Sequence, residues 1–271
     1  MHKQVKSDFL KLTILASGSS GNCSLLEVPG LSVLIDAGLS GKRIAERLQA
    51  IGKSMVDISA VLLTHEHSDH VLGLPVLANR HHIPVYANKL TAGCLQPLVP
   101  KYKDWRIFES GAEIDLGGLR VETFSIPHDA YDPVGFVAHV GKVSAGFLTD
   151  LGYATRLVTE RVRPVDVLRL EANYDLHLLR QDNRRPWAVK QRIMARHGHL
   201  SNDAAASVAE QIVSDRLKHI YLGHLSEDCN THELAEAAVS GSLSRMGVTH
   251  VSLHRTYQDR MAEPVLIGQT G

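Results

Sequence analysis

The chain has 271 residues, with 29 Lys plus Arg against 29 Asp plus Glu, so no net field draws it toward nucleic acid or an anionic membrane surface. A hydrophobic share of 44% is ample for a core, yet no apolar run approaches the ~18 residues that a membrane span needs. Cys23, Cys94 and Cys229 are odd in number and far apart, which speaks against a disulfide framework and predicts a reducing, cytoplasmic setting, and residues 1–8 show no secretion signal.

In chain order, residues 12–16, 23–27 and 31–35 read as strands leading to Asp36, and 41–50 as an amphipathic helix. The small residues of 17–22 either turn their N–H groups toward an anion or make a tight hairpin turn; they are not a Walker loop. Residues 58–63 are apolar and partly β-branched, and predict a buried strand that delivers Thr64-His65-Glu66-His67-Ser68-Asp69-His70 to a loop at its end. Three imidazoles and two carboxylates within six residues predict a metal site, and one for two ions. On an extended segment His65 and His67 face the same way and Glu66 faces away, while Asp69 and His70 lie past the turn. Donors of this kind suit Zn²⁺, with Mn²⁺ and Fe²⁺ as further options, and require more ligands from later in the chain.

Those donors follow. The strand predicted over 121–126 runs into Pro127-His128, that over 143–149 ends in Asp150, and that over 219–223 ends at His224. A lone histidine at a strand end is more often structural than a ligand, but three such donors after the first motif point to one site. Between Arg180 and Arg196 the cations Arg180, Arg184, Arg185, Lys190, Arg192 and Arg196 are opposed by Asp182 alone, with Trp187 among them. Such a segment suits a phosphate backbone and a stacked base; the competing reading is a solvated helix face. Ser201 or Asn202 caps a helix over 204–213, and the last strand is expected over 248–253. His81, His82, His139, His219, His250 and His254 read as packing or surface residues. Alternating elements alone allow either a doubly wound sheet or a sandwich.

Together the motifs resemble the metallo-β-lactamase-fold hydrolases over residues 12–253. Leu34-Ile35-Asp36-Ala37-Gly38, the His65 to His70 motif, His128, Asp150 and His224 stand where that family has its five signature stretches. The resemblance implies an α/β fold, a four-layered αβ/βα sandwich with a dinuclear metal site at one edge between the sheets, here as a single domain over 1–271. It implies that His65, His67 and His128 hold one metal, that Asp69, His70 and His224 hold the second, and that Asp150 bridges both. Asp36 is expected to support the site without touching metal. Within the family the chain is similar to the bacterial exonuclease branch called WalJ or YycJ. The markers are Ala16-Ser17-Gly18-Ser19-Ser20-Gly21-Asn22, Ser125-Ile126-Pro127-His128-Asp129-Ala130, Leu168-Arg169-Leu170-Glu171-Ala172-Asn173-Tyr174-Asp175, the stretch 186–193, and Gly198-His199-Leu200-Ser201-Asn202. Asn183-Arg184-Arg185 departs from that branch, where a glycine-containing turn is usual.

Two divalent cations held close together lower the pKa of a bridging water, supply hydroxide near neutral pH and stabilise charge on an attacked phosphoryl group. Asp69 is then the candidate to orient or deprotonate that water. By resemblance to the tRNA-processing enzymes of this fold, His199 is expected as general acid and Glu171 as its partner. The expected substrate contacts are Ser19 from the glycine-rich loop, Lys190 and Arg192 from the basic segment, and Asn173, Ser201 and Asn202 from the marker stretches. The resemblance implies a metal-dependent phosphodiesterase acting on DNA from the 5′ end. The alternative is a small-molecule hydrolase of the same fold, cleaving a cyclic phosphodiester, thioester or lactone; it would not need the basic segment. By resemblance, a redox centre would favour a carboxylate in place of a histidine in the first motif and an electron-carrier domain, and a silent module would be expected to lack some of the seven ligands.

Overall fold

The computed structural model describes residues 8–268. The reading of residues 1–7 as lacking a secretion signal, and the extreme ends of the 1–271 span, lie outside the described residues. The first sheet takes β1 (Phe9–Ala16), β2 (Cys23–Val28), β3 (Leu31–Ile35), β4 (Ala60–Leu62), β5 (Val85–Asn88) and β6 (Trp105–Phe108). The second takes β7 (Glu113–Asp115), β8 (Arg120–Ser125), β9 (Val134–Val140), β10 (Val143–Leu148), β11 (Val167–Glu171), β12 (His219–Gly223) and β13 (Ser252–Arg255). The final strand, β14 (Val265–Gly268), returns to the first sheet beside β1. Strand orders are β14-β1-β2-β3-β4-β5-β6 and β13-β12-β11-β10-β9-β8-β7.

In each sheet antiparallel hairpins give way to parallel strands, at β3–β4 in the first and β10–β11 in the second. Parallel neighbours need long connections, which place helices outside the sheets. These are α1 (Gly41–Ala50), α2 (Ser68–Val71), α3 (Leu74–Asn79) and α4 (Lys89–Leu95) in the first half. The second half has α5 (Arg156–Val162), α6 (Leu176–Gln181), α7 (Trp187–Met194), α8 (Asn202–Ile212) and α9 (His232–Arg245).

Three apolar clusters define four layers. Leu34 and Val61 pack with Ile44, Leu48 and Leu77 on the helix side of the first sheet. Val33, Ile35, Phe136, Phe147 and Val167 fill the space between the sheets. Leu168 and Leu170 pack with Val208, Ile212 and Val239 beneath the second sheet's helices. A strand such as β3 therefore buries both faces, which is why it reads as a continuous apolar run. The result is the four-layered αβ/βα sandwich expected from the family resemblance.

Local signals set most boundaries. Ser40 accepts the Arg43 N–H to open α1, and Ser201 accepts the Ala204 N–H to open α8, so Ser201 rather than Asn202 is the cap. The strand expected over 248–253 begins only at Ser252. Gly247 (φ 72°) and the Val248 N–H, donating to Leu243 O at 3.0 Å, close α9 in a Schellman turn, so Val248 belongs to the helix end. The short β14 has no counterpart in the sequence expectations, because four residues show no period. Among the described residues no helix is long and apolar enough to cross a membrane, and the three cysteines are unpaired.

Candidate metal centre

Strand ends assemble the site. β4 leads to His65, β8 to His128, β10 to Asp150 and β12 to His224, all at one edge of the sandwich, while Asp36 directly follows β3. Asp36, Asp150 and His224 have left-handed backbone, with φ of 61°, 57° and 55°. Among the described residues the only other non-glycine with positive φ is His82. Backbone of this kind costs about 1–3 kcal/mol per residue, so strain is concentrated where a side chain must turn sharply off its strand into the edge.

The donors form two groups, His65, His67 and His128, and Asp69, His70, Asp150 and His224; within each, the donor atoms lie within 4.8 Å of one another. His128 Nε2 stands 3.2 Å from His67 Nδ1. Asp150 reaches both groups, with Oδ2 at 3.0 Å from His70 Nε2 and Oδ1 at 3.3 Å from His224 Nε2 and 3.9 Å from His128 Nε2. Asp69 Oδ2 lies 3.2 Å from His224 Nε2 and 3.3 Å from His70 Nε2. Glu66 turns away, accepting the Tyr131 N–H at 2.9 Å. His65 Nε2 is buried without a hydrogen-bond partner. An orphaned ring nitrogen is unfavourable for a packed histidine and natural for a ligand. Five imidazoles and two carboxylates in this arrangement suit divalent metal ions of the Zn²⁺, Mn²⁺ or Fe²⁺ type.

Protonation points the same way. Burial, then the neighbouring His70, holds His65 well below the usual imidazole range, in the neutral form a ligand requires. Burial also opposes charge on His70, but Asp150, Asp36 and Asp69 outweigh it and hold that ring well above the usual range. His224 is lifted to about 10, its burial overcome by Asp150, Asp69 and Glu171. Burial would raise Asp69 and Asp150, yet the adjacent histidines hold both carboxyls below their ordinary range. A buried cluster whose carboxylates hold protons on neighbouring imidazoles has a standing demand for positive charge.

Asp36 sits beneath this cluster, fully buried. Its Oδ2 is 2.8 Å from His70 Nδ1, while Oδ1 accepts the Thr64 N–H at 2.8 Å and the Thr64 hydroxyl at 3.0 Å. This leaves His70 Nε2 facing the donors. Gly38 follows because the chain passes so close under Asp69 that a Cβ there would overlap the Asp69 carbonyl oxygen. Asp36→Asn is expected to weaken metal binding by about 10–100-fold, measured as the free metal concentration at half occupancy, with an unchanged far-ultraviolet circular dichroism spectrum.

A cleft of 260 Å³ opens over the donors, and its walls include Ser19, Asp129, Val189, Arg192 and His199. Of the expected substrate contacts, Ser19 and Arg192 line it. The other four point elsewhere, because each is a polar side chain satisfied inside the fold. Asn173 donates to His224 O at 2.7 Å and lies 2.9 Å from His224 Nδ1, holding that ring from behind. Lys190 is buried and donates to Arg180 O at 2.9 Å, tying α7 to α6. Ser201 caps α8, and Asn202 pairs reciprocally with Asn230 at 2.8 and 2.9 Å.

Three of the six cations of the basic segment are paired with acids. Arg184 and Arg185 bind Asp182 and Asp228, Arg192 pairs with Asp129, and Arg196 lies over the Tyr153 ring. Trp187 is exposed, about 200° around α7 from Val189 and so off the cleft face. In loop 17–22 the N–H groups of Gly18, Ser20, Gly21 and Asn22 donate to Asn22 Oδ1, Gln258 Oε1, Gly18 O and Asp69 O. The turn forms, and these four amides are not free for an anion.

His199 enters the cleft from the loop before α8. Its Nδ1 is 2.6 Å from Glu171 Oε1, and Glu171 Oε2 accepts the Leu151 N–H at 2.9 Å and the Leu200 N–H at 3.2 Å. The ring stacks on His224 at 5.2 Å and 14°. Burial lowers the basicity of His199, but Glu171 and then Asp150 outweigh it and raise the ring above its usual value. Its Nδ1 proton is therefore held toward Glu171, leaving Nε2 free at the cleft. Two residues without an expected role also stand here: Asn22, whose Nδ2 lies 3.2 Å from both Asp69 Oδ2 and His70 Nε2, and Arg169, which donates to Asn22 Oδ1 at 2.6 Å. The available signal was strand alternation, since Arg169 shares a face of β11 with Glu171.

A family model described as "Beta-lactamase superfamily domain" matches residues 32–224. The chain is 37% identical over 240 residues to an exodeoxyribonuclease YycJ of Bacillus anthracis, covering 88% of this chain and 90% of that protein. It is 39% identical over 241 residues to an exodeoxyribonuclease WalJ of Streptococcus pneumoniae, covering 87% and 88%. Among solved structures, the metallo-beta-lactamase fold protein YhfI of Bacillus subtilis superposes with a TM-score of 0.74 at 16% identity, covering 96% of this chain and all of that one, a likeness of fold.

Proposed function

Because the chain belongs to the beta-lactamase superfamily and matches its exodeoxyribonuclease relatives over most of its length, we propose that it is a metal-dependent exodeoxyribonuclease working from the 5′ end of DNA. The observation that carries this reading is one cleft in which two donor groups meet around Asp150, 3.0 Å from His70 Nε2 and 3.9 Å from His128 Nε2, and face the His199–Glu171 pair. Two divalent ions held there, Zn²⁺ or Mn²⁺ with Fe²⁺ as a further option, would supply hydroxide near neutral pH and stabilise charge on a phosphodiester.

The chain's own groups do the rest. Asp69, whose carboxylate lines the cleft, orients the attacking water and takes its proton. His199 gives the Nε2 proton to the leaving oxygen, and Glu171 holds the ring in the required tautomer. Arg192 meets the backbone phosphate by exchanging Asp129 for it, and Ser19 faces the strand from the loop. The unpaired cysteines fit a reducing compartment, and the cytoplasm is the setting we propose.

The test is release of labelled nucleotides from 5′-phosphorylated single- and double-stranded DNA with Mn²⁺ or Zn²⁺, comparing native protein with Asp69→Ala. Metal-dependent, stepwise release from the 5′ end that disappears in the variant is expected. No release from DNA by metal-loaded protein that still cleaves a simple phosphodiester or thioester would overturn the reading.

A further inference from the structure

Alternation along β11 turns Val167, Arg169 and Glu171 toward the other sheet. Val167 joins the core between the sheets, Glu171 reaches the cleft, and Arg169 lies between them, 1% exposed. Among the described residues Arg169 makes no ion pair. Its Nη2 donates to Asn22 Oδ1 at 2.6 Å and to Ser17 Oγ at 3.1 Å, and Nη1 lies 3.5 Å from Ser24 Oγ. A buried guanidinium held by neutral acceptors costs free energy that an apolar side chain would not. Its presence therefore needs a reason other than packing.

The acceptors supply one. A guanidinium only donates, so Arg169, with the Gly18 N–H at 3.2 Å, fixes Asn22 Oδ1 toward itself and turns Nδ2 the other way, where it also donates to Gly18 O at 3.0 Å. There Nδ2 stands 3.2 Å from Asp69 Oδ2 and 3.2 Å from His70 Nε2. The Asn22 backbone N–H also donates to Asp69 O at 2.7 Å. Ser17 Oγ, the second acceptor, receives the His224 N–H at 2.7 Å. Gly223 keeps the space open: a Cβ there would stand 3.0 Å from Ser17 Oγ and 3.3 Å from Arg169 Nε. Through one intermediary each, Arg169 thus reaches Asp69, His70 and His224. Neither Asn22 nor Ser17 hydrogen-bonds His65, His67 or His128.

We infer that Arg169, acting through Asn22 and Ser17, is a positioning residue dedicated to the Asp69–His70–His224 half of the metal centre. The inference rests on the dinuclear reading above. It gives the glycine-rich loop after β1 a definite task, to carry the polar contacts that aim one half of the ligand set.

The test is metal uptake by metal-depleted native protein and by Arg169→Met and Asn22→Ala, titrated with Zn²⁺ and with Co²⁺, whose visible absorption reports coordination independently of activity. Native protein is expected to bind two ions. Each folded variant is expected to keep one with native affinity while the other weakens by about 10–100-fold. Adding His67→Ala to Asn22→Ala should then remove the remaining tight ion. Should Arg169→Met fail to fold, Asn22→Ala decides. The inference is overturned if both ions weaken together, if neither does, or if the double variant still holds a tight ion. A native protein that takes up fewer than two ions overturns the dinuclear reading and this inference with it; two ions in native protein and unchanged variants overturn this inference alone.

Discussion

Asp150→Asn is expected to abolish hydrolysis and release both metal ions while leaving the sandwich folded. The carboxylate is 2% exposed and its oxygens lie 3.0 Å from His70 Nε2 and 3.3 Å from His224 Nε2, with the Thr149 hydroxyl donating to Oδ2 at 2.7 Å. Asparagine keeps the shape but replaces one oxygen with an amide nitrogen, which cannot bind a cation. The negative charge beside His70 and His224 is lost at the same time. Metal ions contribute several kcal/mol of transition-state stabilisation, and at 1.36 kcal/mol per tenfold the rate on 5′-labelled DNA falls by about 10³-fold or more. Elemental analysis of the purified variant gives the metal content. Retention of both ions with native rate would show that Asp150 is not the shared donor.

His199→Ala separates proton donation from metal binding. A positioned general acid typically contributes about 10²–10⁴-fold, so kcat should drop by that factor while KM for DNA and metal content stay as in native protein. The fold tolerates the change, because Glu171 Oε2 keeps the Leu151 and Leu200 amides and Oε1, on losing His199, still has His224 Nδ1 at 3.4 Å. The alternative is geometrically real, since His199 also lies within reach of Asp150, Glu171 and His224 as a donor group. A variant that loses an ion would make His199 a ligand, and one that keeps full kcat would make it a packing residue.

The candidate donor cluster was legible in the sequence because its geometry is local. His65 and His67 are two apart on an extended segment, and His128, Asp150 and His224 each close a strand whose apolar pattern is visible in a few residues. Strand and helix periods likewise marked β3, α1 and β12 with the bounds they have. Periodicity left the sandwich and the doubly wound sheet equally open, and only the resemblance in the motifs chose between them.

What tertiary structure alone decided is where polar side chains spend their hydrogen bonds. Lys190, Asn173 and Asn202 have the chemistry of substrate contacts and are buried as supports, while Arg184 and Arg185 are occupied by Asp228 from a distant segment as well as by neighbouring Asp182. Left-handed backbone at Asp36, Asp150 and His224 has no glycine to announce it. Arg169 finds Asn22 and Ser17 across 147 and 152 residues of chain. Periods and spacings report a residue's neighbours along the chain, and so determine the elements and the candidate donors. A buried polar group must be paired with whatever the fold brings to it, and that partner is set by how the two sheets close on each other.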